Sequence, residues 1–453
     1  MTRAFDKVLI ANRGEIALRI LRACRALGLR AVMTYSEADR DAAYLALADD
    51  AICIGPAPAA ESYRDQVALL SAALACGAGA IHPGYGFLAE NAEFAARVAA
   101  AGLVFVGPPP DAMGVMGDKI AAKAAMIAAG VPCVPGSAGR LEGDAAAMAR
   151  IAEEVGYPLI VKATAGGGGR GMRIVRDRAQ LADCVALTRR EASQAFGCPD
   201  VYLERFLDAP RHVEIQVLCD AYGSALWLGA RDCSLQRRHQ KVVEEAPAPG
   251  IGIGMIAGIG ERCVDACRRI GYVGAGTFEF LYQGGVFAFI EMNTRLQVEH
   301  PVTEAVTGID IVVAQLRIAR GEPLGMRQAD LRHHGHAIEC RLNAEDPADF
   351  SPSPGVVTLW EPPGGPGIRV DSHLCAGARI PPHYDSLVAK LVAHGATRGE
   401  ALARMRQALA ETRIAGVETN LPVLRRVLDD PGFIAGGVDI HHLGRLLEEP
   451  AHG

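Results

Sequence analysis

The sequence predicts an α/β fold continued by an α+β part, on three observations. Short apolar strands alternate with helical spacing from the start of the chain, a run of glycines lies between two strands, and after His333 strands crowd among Pro and Gly clusters with one helix to close them. In order, Lys7 to Ala11 reads as a strand, Glu15 to Leu27 as a helix stopped by Gly28, and Ala31 to Tyr35 as a second strand, which is a βαβ opening. The pattern repeats through Ala51 to Ile54, a helix over Val67 to Cys76, Ala80 to His82, a helix near Asn91 to Ala101, and Val104 to Gly107. Residues 1–115 are therefore expected to form a Rossmann-like parallel α/β domain. A helix over Asp118 to Ala129 opens a second segment that runs to residue 330, with α/β spacing through residue 206 and a hairpin at 277–300. Strands at Ala337 to Leu342 and Val356 to Trp360 and a helix over Arg398 to Glu411 make a smaller α+β domain, 331–446.

At 453 residues the chain has room for about three domains. A net charge of -6 lacks the basic excess of nucleic-acid binders, so nucleic acid is not an expected partner. The 12 cysteines are scattered without a C-x-x-C, which fits neither a zinc site nor a disulfide framework and suits a reducing cytosol. Asn12, Arg13 and Glu15 interrupt the first apolar run and later runs are short, so a soluble, cytoplasmic chain without a membrane span is expected.

Between the strands Tyr157 to Ala163 and Met172 to Val175 lies Thr164-Ala165-Gly166-Gly167-Gly168-Gly169-Arg170-Gly171. Gly166, Gly168 and Gly171 satisfy G-x-G-x-x-G, but a dinucleotide fingerprint must open a helix and this loop enters a strand. The absence of Lys-Ser/Thr after the glycines removes a Walker reading, and the kinase His-Arg-Asp and Asp-Phe-Gly motifs are missing. What remains is a strand-loop-strand flap able to close its N–H groups over phosphate oxygens, with Lys162 beside it as a point charge. A flexible hairpin tip is the alternative.

From Phe287 to Glu299, an extended chain would point Ile290, Met292, Leu296 and Val298 one way and Glu291, Asn293, Arg295, Gln297 and Glu299 the other. An edge strand seldom carries two Glu, an Arg and two amides on one face, which favours a site. A three-residue loop pairing Gln283 with Phe287 would set Glu279 opposite Glu291, and with Asn293 they would suit a hard cation holding ATP phosphates. The block Arg231 to Lys241, rich in fixed positive charge, is either a solvated run or an anion pocket fit for bicarbonate. His333, His334 and His336 are spaced poorly for a metal site.

These segments together resemble biotin carboxylase of the ATP-grasp superfamily, from about Lys7 to about Leu446. The resemblance is carried by Ile10-Ala-Asn-Arg-Gly-Glu15, His82-Pro-Gly-Tyr-Gly-Phe-Leu88, Met116-Gly-Asp-Lys119, Gly166 to Met172, Arg211-His-Val-Glu-Ile-Gln216, Arg231 to Gly250, Phe289 to Thr303 and His336 to Pro347. It implies an ATP-grasp fold with a mobile glycine-rich lid over about 134–206. It further implies ATP binding by Lys119, Lys162, Gly168, Gly169, Glu204, Leu207, His212, Gln236 and His239, with Glu204 and Leu207 at the adenine. Mg2+ or Mn2+ would lie on Glu279, Glu291 and Asn293, and bicarbonate on Lys241, Arg295, Gln297 and Val298. Glu299 would remove the bicarbonate proton, and Arg341 would bind near biotin and stabilise its enolate. An ordinary carboxylate, near pKa 4.3, is a poor base, so burial is expected to raise Glu299 towards ~6 to 7.

The sequence departs from the family pattern at Ala165, where glycine is usual, and at Ile251-Gly-Ile-Gly-Met-Ile-Ala-Gly-Ile-Gly260, whose glycines predict a weak helix. Another ATP-grasp ligase, such as a carbamoyl-phosphate synthetase half, and a non-catalytic nucleotide-binding paralogue are the competing readings. No Ala-Met-Lys-Met biotinylation sequence occurs, which implies a separate biotin carboxyl carrier protein and carboxyltransferase subunits, with acetyl-CoA carboxylase the default complex. The family also implies a homodimer.

Overall fold

The structure is a computed structural model that describes residues 5–142, 144–164 and 171–448. Five parallel strands in the order Asp50–Cys53, Arg30–Tyr35, Lys7–Ile10, Ala80–His82 and Val104–Phe105 make the first sheet. Val8, Leu9 and Ile10 are fully buried, as a strand covered by helices on both faces requires. Two of the flanking helices start on acceptor side chains: Asp65 caps Gln66–Ala75 and Asn91 caps Ala92–Ala100.

An antiparallel eight-stranded sheet forms the body of the molecule, in the order Val286–Asn293, Gly274–Gln283, Arg211–Cys219, Ala225–Arg237, Gln240–Ala246, His336–Asn343, Leu387–Gly395 and Ile368–Ser372. Pairing of Gln240–Ala246 with His336–Asn343 carries this one sheet across residue 330. A third sheet, Met172–Val175, Leu159–Ala163 and Val201–Arg205, packs against the helices Ala145–Val155 and Leu181–Phe196 over a separate small core. Its first two strands flank the glycine loop; Ala165, Gly168 and Gly169 lie outside the described residues.

Several sequence expectations are corrected. The hairpin loop has two residues, not three: Gln283 pairs with Val286, and Gly284 and Gly285 both take positive φ (59° and 81°), the turn whose twist matches its strands. Glu279 still faces Glu291, because a bulge at Ile290 inserts one residue between the Phe280–Phe289 and Glu279–Glu291 pairs. The chain is not extended to Glu299 either. The strand ends at Asn293, and Glu299 is the N-cap of the helix His300–Thr307, which Pro301 helps to start.

The expected strand over Val356 to Trp360 divides into Gly355–Val356 and Leu359–Glu361, which pair with different partners. The glycine-rich segment forms a regular helix, Ile253–Arg269, because Ile256, Ile259, Cys263 and Cys267 bury into the central core. Gly260 is needed there: a Cβ would come within 2.5 Å of the Trp227 ring. No helix among the described residues is long and apolar enough to cross a membrane.

Candidate active site

A cavity of about 1110 Å³ lies where the three sheets meet. It is lined by Lys119, by Lys162 and Glu204 of the small sheet, and by His212, Gln236, His239, Lys241, Glu279, Glu291, Asn293, Arg295, Gln297 and Arg341 around the large one. Leu207 lines it between the small and large sheets. Ile290 and Val298, expected on the opposite face, line it as well, because the bulge and the end of the strand break the alternation.

At its base Lys241 binds three carboxylates at once, with Nζ 2.6 Å from Glu214, 2.9 Å from Glu279 and 2.5 Å from Glu299. Glu214 and Glu299 are fully buried. Burial alone would push these acids up, yet Lys241 and His212 hold Glu279 well below the carboxylate range, and Lys241, Arg341 and Arg231 lower Glu299 despite the neighbouring Glu214. The expected upward shift of Glu299 is therefore overturned: the cations beside it outweigh its burial. His212, 3.3 Å from Glu279, loses by burial but gains more from Glu279 and Glu214, and is raised to about 9.

Glu279 Oε1 also accepts from Asn293 Nδ2 at 2.7 Å and Gln297 Nε2 at 2.9 Å. Arg295 donates to Asn293 at 2.8 Å, to Gln297 at 3.1 Å and to Glu90 at 2.8 Å. One continuous network thus joins Lys241 to Arg295. Glu291 lies outside it, with no hydrogen bond or ion pair to the side chain of another described residue, and burial and Glu279 raise its pKa. Such a carboxylate beside Glu279 and Asn293 is a donor set that fits a hard divalent cation.

Three family models match in succession: the biotin carboxylase N-terminal domain over residues 4–113, the carbamoyl-phosphate synthase L chain ATP-binding domain over 118–327, and the biotin carboxylase C-terminal domain over 339–445. A biotin carboxylase of Pseudomonas aeruginosa is 59% identical over 447 residues, covering 99% of this chain and 100% of the relative. The chain belongs to the biotin carboxylase family. The fold agrees: a biotin carboxylase complex from Campylobacter jejuni superposes with a TM-score of 0.94 at 46% identity, covering 98% of this chain and 99% of that one. The biotin carboxylase domain dimer of Hydrogenobacter thermophilus 2-oxoglutarate carboxylase, solved with MgADP and bicarbonate, gives 0.93 at 46% identity, covering 98% and 99%. The fold is thus ATP-grasp, and the carbamoyl-phosphate synthase description belongs to a model of the ATP-binding part that biotin carboxylases share.

Within this biotin carboxylase fold the nucleotide-side residues pair with one another. Glu204 is bridged by Lys162 Nζ at 2.7 Å and Lys123 Nζ at 3.2 Å, so Lys162 is engaged by the carboxylate as well as facing the cavity. Burial lowers Lys119. The Arg231 to Lys241 block is neither a solvated run nor a uniform anion pocket. It is a hairpin whose turn residues Arg238 and His239 take positive φ, with Gln236, His239 and Lys241 in the cavity. Arg231 is fully buried and spent on Glu214, Gln216, Thr277 and Thr303, while Arg237 stacks on Phe350. His336 pairs with Glu245 at 2.7 Å, and His333 bonds the Leu228 carbonyl.

Two residues at the heart of the network were given no role by sequence reasoning. Glu214 carried a signal, since His212, Glu214 and Gln216 alternate onto one face of Arg211–Cys219. Glu90 carried none: it comes from the parallel domain, and only the fold sets it against Thr294 and Arg295.

Proposed function

We propose that this chain carboxylates biotin at the expense of ATP and bicarbonate, with the biotin supplied on a separate carrier protein. The observation that carries the reading is Lys241 bridging Glu214, Glu279 and Glu299 at the base of a nucleotide-sized cavity, one residue network away from Arg295.

Lys119, Lys162, His212, Gln236 and His239 would line the ATP, with Glu204 and Leu207 at the adenine and Gly168 and Gly169 of the lid over the phosphates. Glu279, Glu291 and Asn293 would hold Mg2+ or Mn2+, which when bound neutralises the charge of the phosphates. Lys241, Arg295, Gln297 and Val298 would hold bicarbonate, and Glu299 would take its proton. Glu299 is ionised in the resting site. Once Lys241 is drawn onto bicarbonate, a buried Glu299 loses its strongest counter-charge and its basicity rises. Bicarbonate oxygen then attacks the γ-phosphate, ADP leaves, and carboxyphosphate breaks into CO2 and phosphate. The phosphate takes the proton from biotin N1', and Arg341 stabilises the enolate that attacks CO2. Positioning and charge stabilisation supply the rate, with closure of the lid excluding water.

A biotin carboxyl carrier protein and carboxyltransferase subunits are the expected partners in the cytoplasm, within an acetyl-CoA carboxylase or a related system. A homodimer follows from the likeness to the Hydrogenobacter domain dimer. The segments 1–115, 116–330 and 331–446 are the corresponding domains, and the family models for the three parts support that division. The test is ADP release with MgATP and bicarbonate, with and without free biotin. Biotin should stimulate it, and Arg295→Ala should abolish the stimulation; ATP binding without any stimulation would refute the reading.

A further inference from the structure

Arg341 leaves its strand His336–Asn343 at the edge of the cavity, where its direction decides whether a substrate can use its charge. Its Nε donates to Glu244 Oε1 at 2.5 Å and its Nη2 to Glu299 Oε2 at 2.9 Å. Glu244 Oε1 also lies 2.5 Å from Nη2. One edge of the guanidinium is thus committed to two carboxylates. Nη1 makes no hydrogen bond to a described residue, although the side chain lines the cavity.

Of the two carboxylates, Glu299 has Lys241 as a second partner, whereas Glu244 is paired with Arg341. Glu244 is 0% exposed, its Oε2 is buried without a hydrogen bond, and its register partner Glu339 is equally buried with both oxygens unpartnered. Placing two such acids face to face in a dry core is costly unless something uses them.

We propose that Glu244 is a positioning residue for the biotin half of the reaction: it grips the inner edge of Arg341, so that the guanidinium can release Glu299 and address biotin without leaving the cavity wall. The inference rests on the role given above to Arg341. Glu244 suits such a grip because its neighbours leave its charge adjustable. Arg341, Glu339 and Cys340 face it from His336–Asn343, Lys241 from its own strand, Cys233 from Ala225–Arg237, and Glu299 from the turn before His300–Thr307. Burial raises Glu244, Glu299 adds to this, and despite Arg341 and Lys241 it sits at about 7. Burial holds Glu339 well above the carboxylate range, so it is a neutral acid at that pH. The grip is therefore charged above pH 7 and weakens below it.

The test compares the wild type with Glu244→Gln and Glu244→Asp in steady-state turnover of free biotin between pH 6 and 9. Loss of a charge-assisted bond predicts that Glu244→Gln raises the biotin KM roughly tenfold at pH 8, with the ATP KM changed less than about twofold. The rise in biotin KM below pH 7 expected of the wild type should be absent from Glu244→Gln and return in Glu244→Asp. A biotin KM and pH profile of Glu244→Gln equal to the wild type would overturn the inference. Infrared spectra over the same range decide it without turnover: a carboxyl C=O band titrating near pH 7 should vanish in Glu244→Gln, and its persistence would overturn the grip. A wild type whose ADP release ignores biotin would instead refute the function itself, and the role of Glu244 with it, whatever the band shows.

Discussion

At the Lys241 end of the cavity, three carboxylates share one ammonium, with Lys241, Glu214 and Glu279 on the eight-stranded sheet and Glu299 at the start of the helix His300–Thr307. At the Lys162 end, two lysines share Glu204, with Lys162 and Glu204 on a three-stranded sheet that has its own small core and Lys123 on the helix Lys119–Ala128. The first end spends buried charge on fixed geometry: Glu214, Glu299 and Arg231 are all solvent-free. The second keeps its ion pairs at the cavity wall, where their partners can be exchanged for a nucleotide. Chemistry at the rigid end and capture at the adjustable one follow from that contrast.

The contrast breaks most visibly at Lys241. Lys241→Met leaves three carboxylates around an apolar side chain, and removing one partner of a buried ion pair costs about 3–5 kcal/mol. A large drop in denaturation midpoint together with loss of ATP turnover is expected, and a stable variant would deny the hub its structural part. Glu214→Gln is next. It removes a charged partner of both Lys241 and Arg231, with an expected stability loss of about 3 kcal/mol in denaturant titration.

Lys162→Met sharpens the other side. Stability should fall by less than in Lys241→Met, because Lys123 still pairs with Glu204, while the ATP dissociation constant measured by calorimetry rises about tenfold. The smallest effect is a pH dependence. His212 is raised in the folded protein to about 9, so its contribution is complete below its unfolded pKa near 6.5 and is lost as pH rises through about 9. The thermal midpoint of His212→Gln should lie about 2 °C below the wild type at pH 6.5, with the gap closing above pH 9.

Much of the rigid end could be read from the sequence, because strand alternation and the Gly284-Gly285 turn are local signals. They set Glu279 against Glu291, though by way of a two-residue turn and a bulge that alternation does not encode. What sequence could not supply were contacts made across the fold. Glu90 reaches Arg295 from another domain, and Glu244 meets Arg341 only because two distant strands pair. The acidity of Glu299 is hidden from the sequence for the same reason. Burial can be guessed from a sequence, but the cations that outweigh it come from three other segments. At the adjustable end, the strands around the glycine loop were legible, while the Lys162–Glu204–Lys123 pairing depended on the three-dimensional packing.

The most direct measurement is transfer of 14C from labelled bicarbonate to free biotin in the presence of MgATP, comparing wild type with Glu299→Gln. The account predicts ATP-dependent transfer of label from bicarbonate into carboxybiotin, stable in base and released as CO2 in acid, by the wild type, and at least about 100-fold less by Glu299→Gln with ATP binding intact. Equal transfer by the two proteins would show that the carboxylate at the centre of the Lys241 network is not the group that activates bicarbonate.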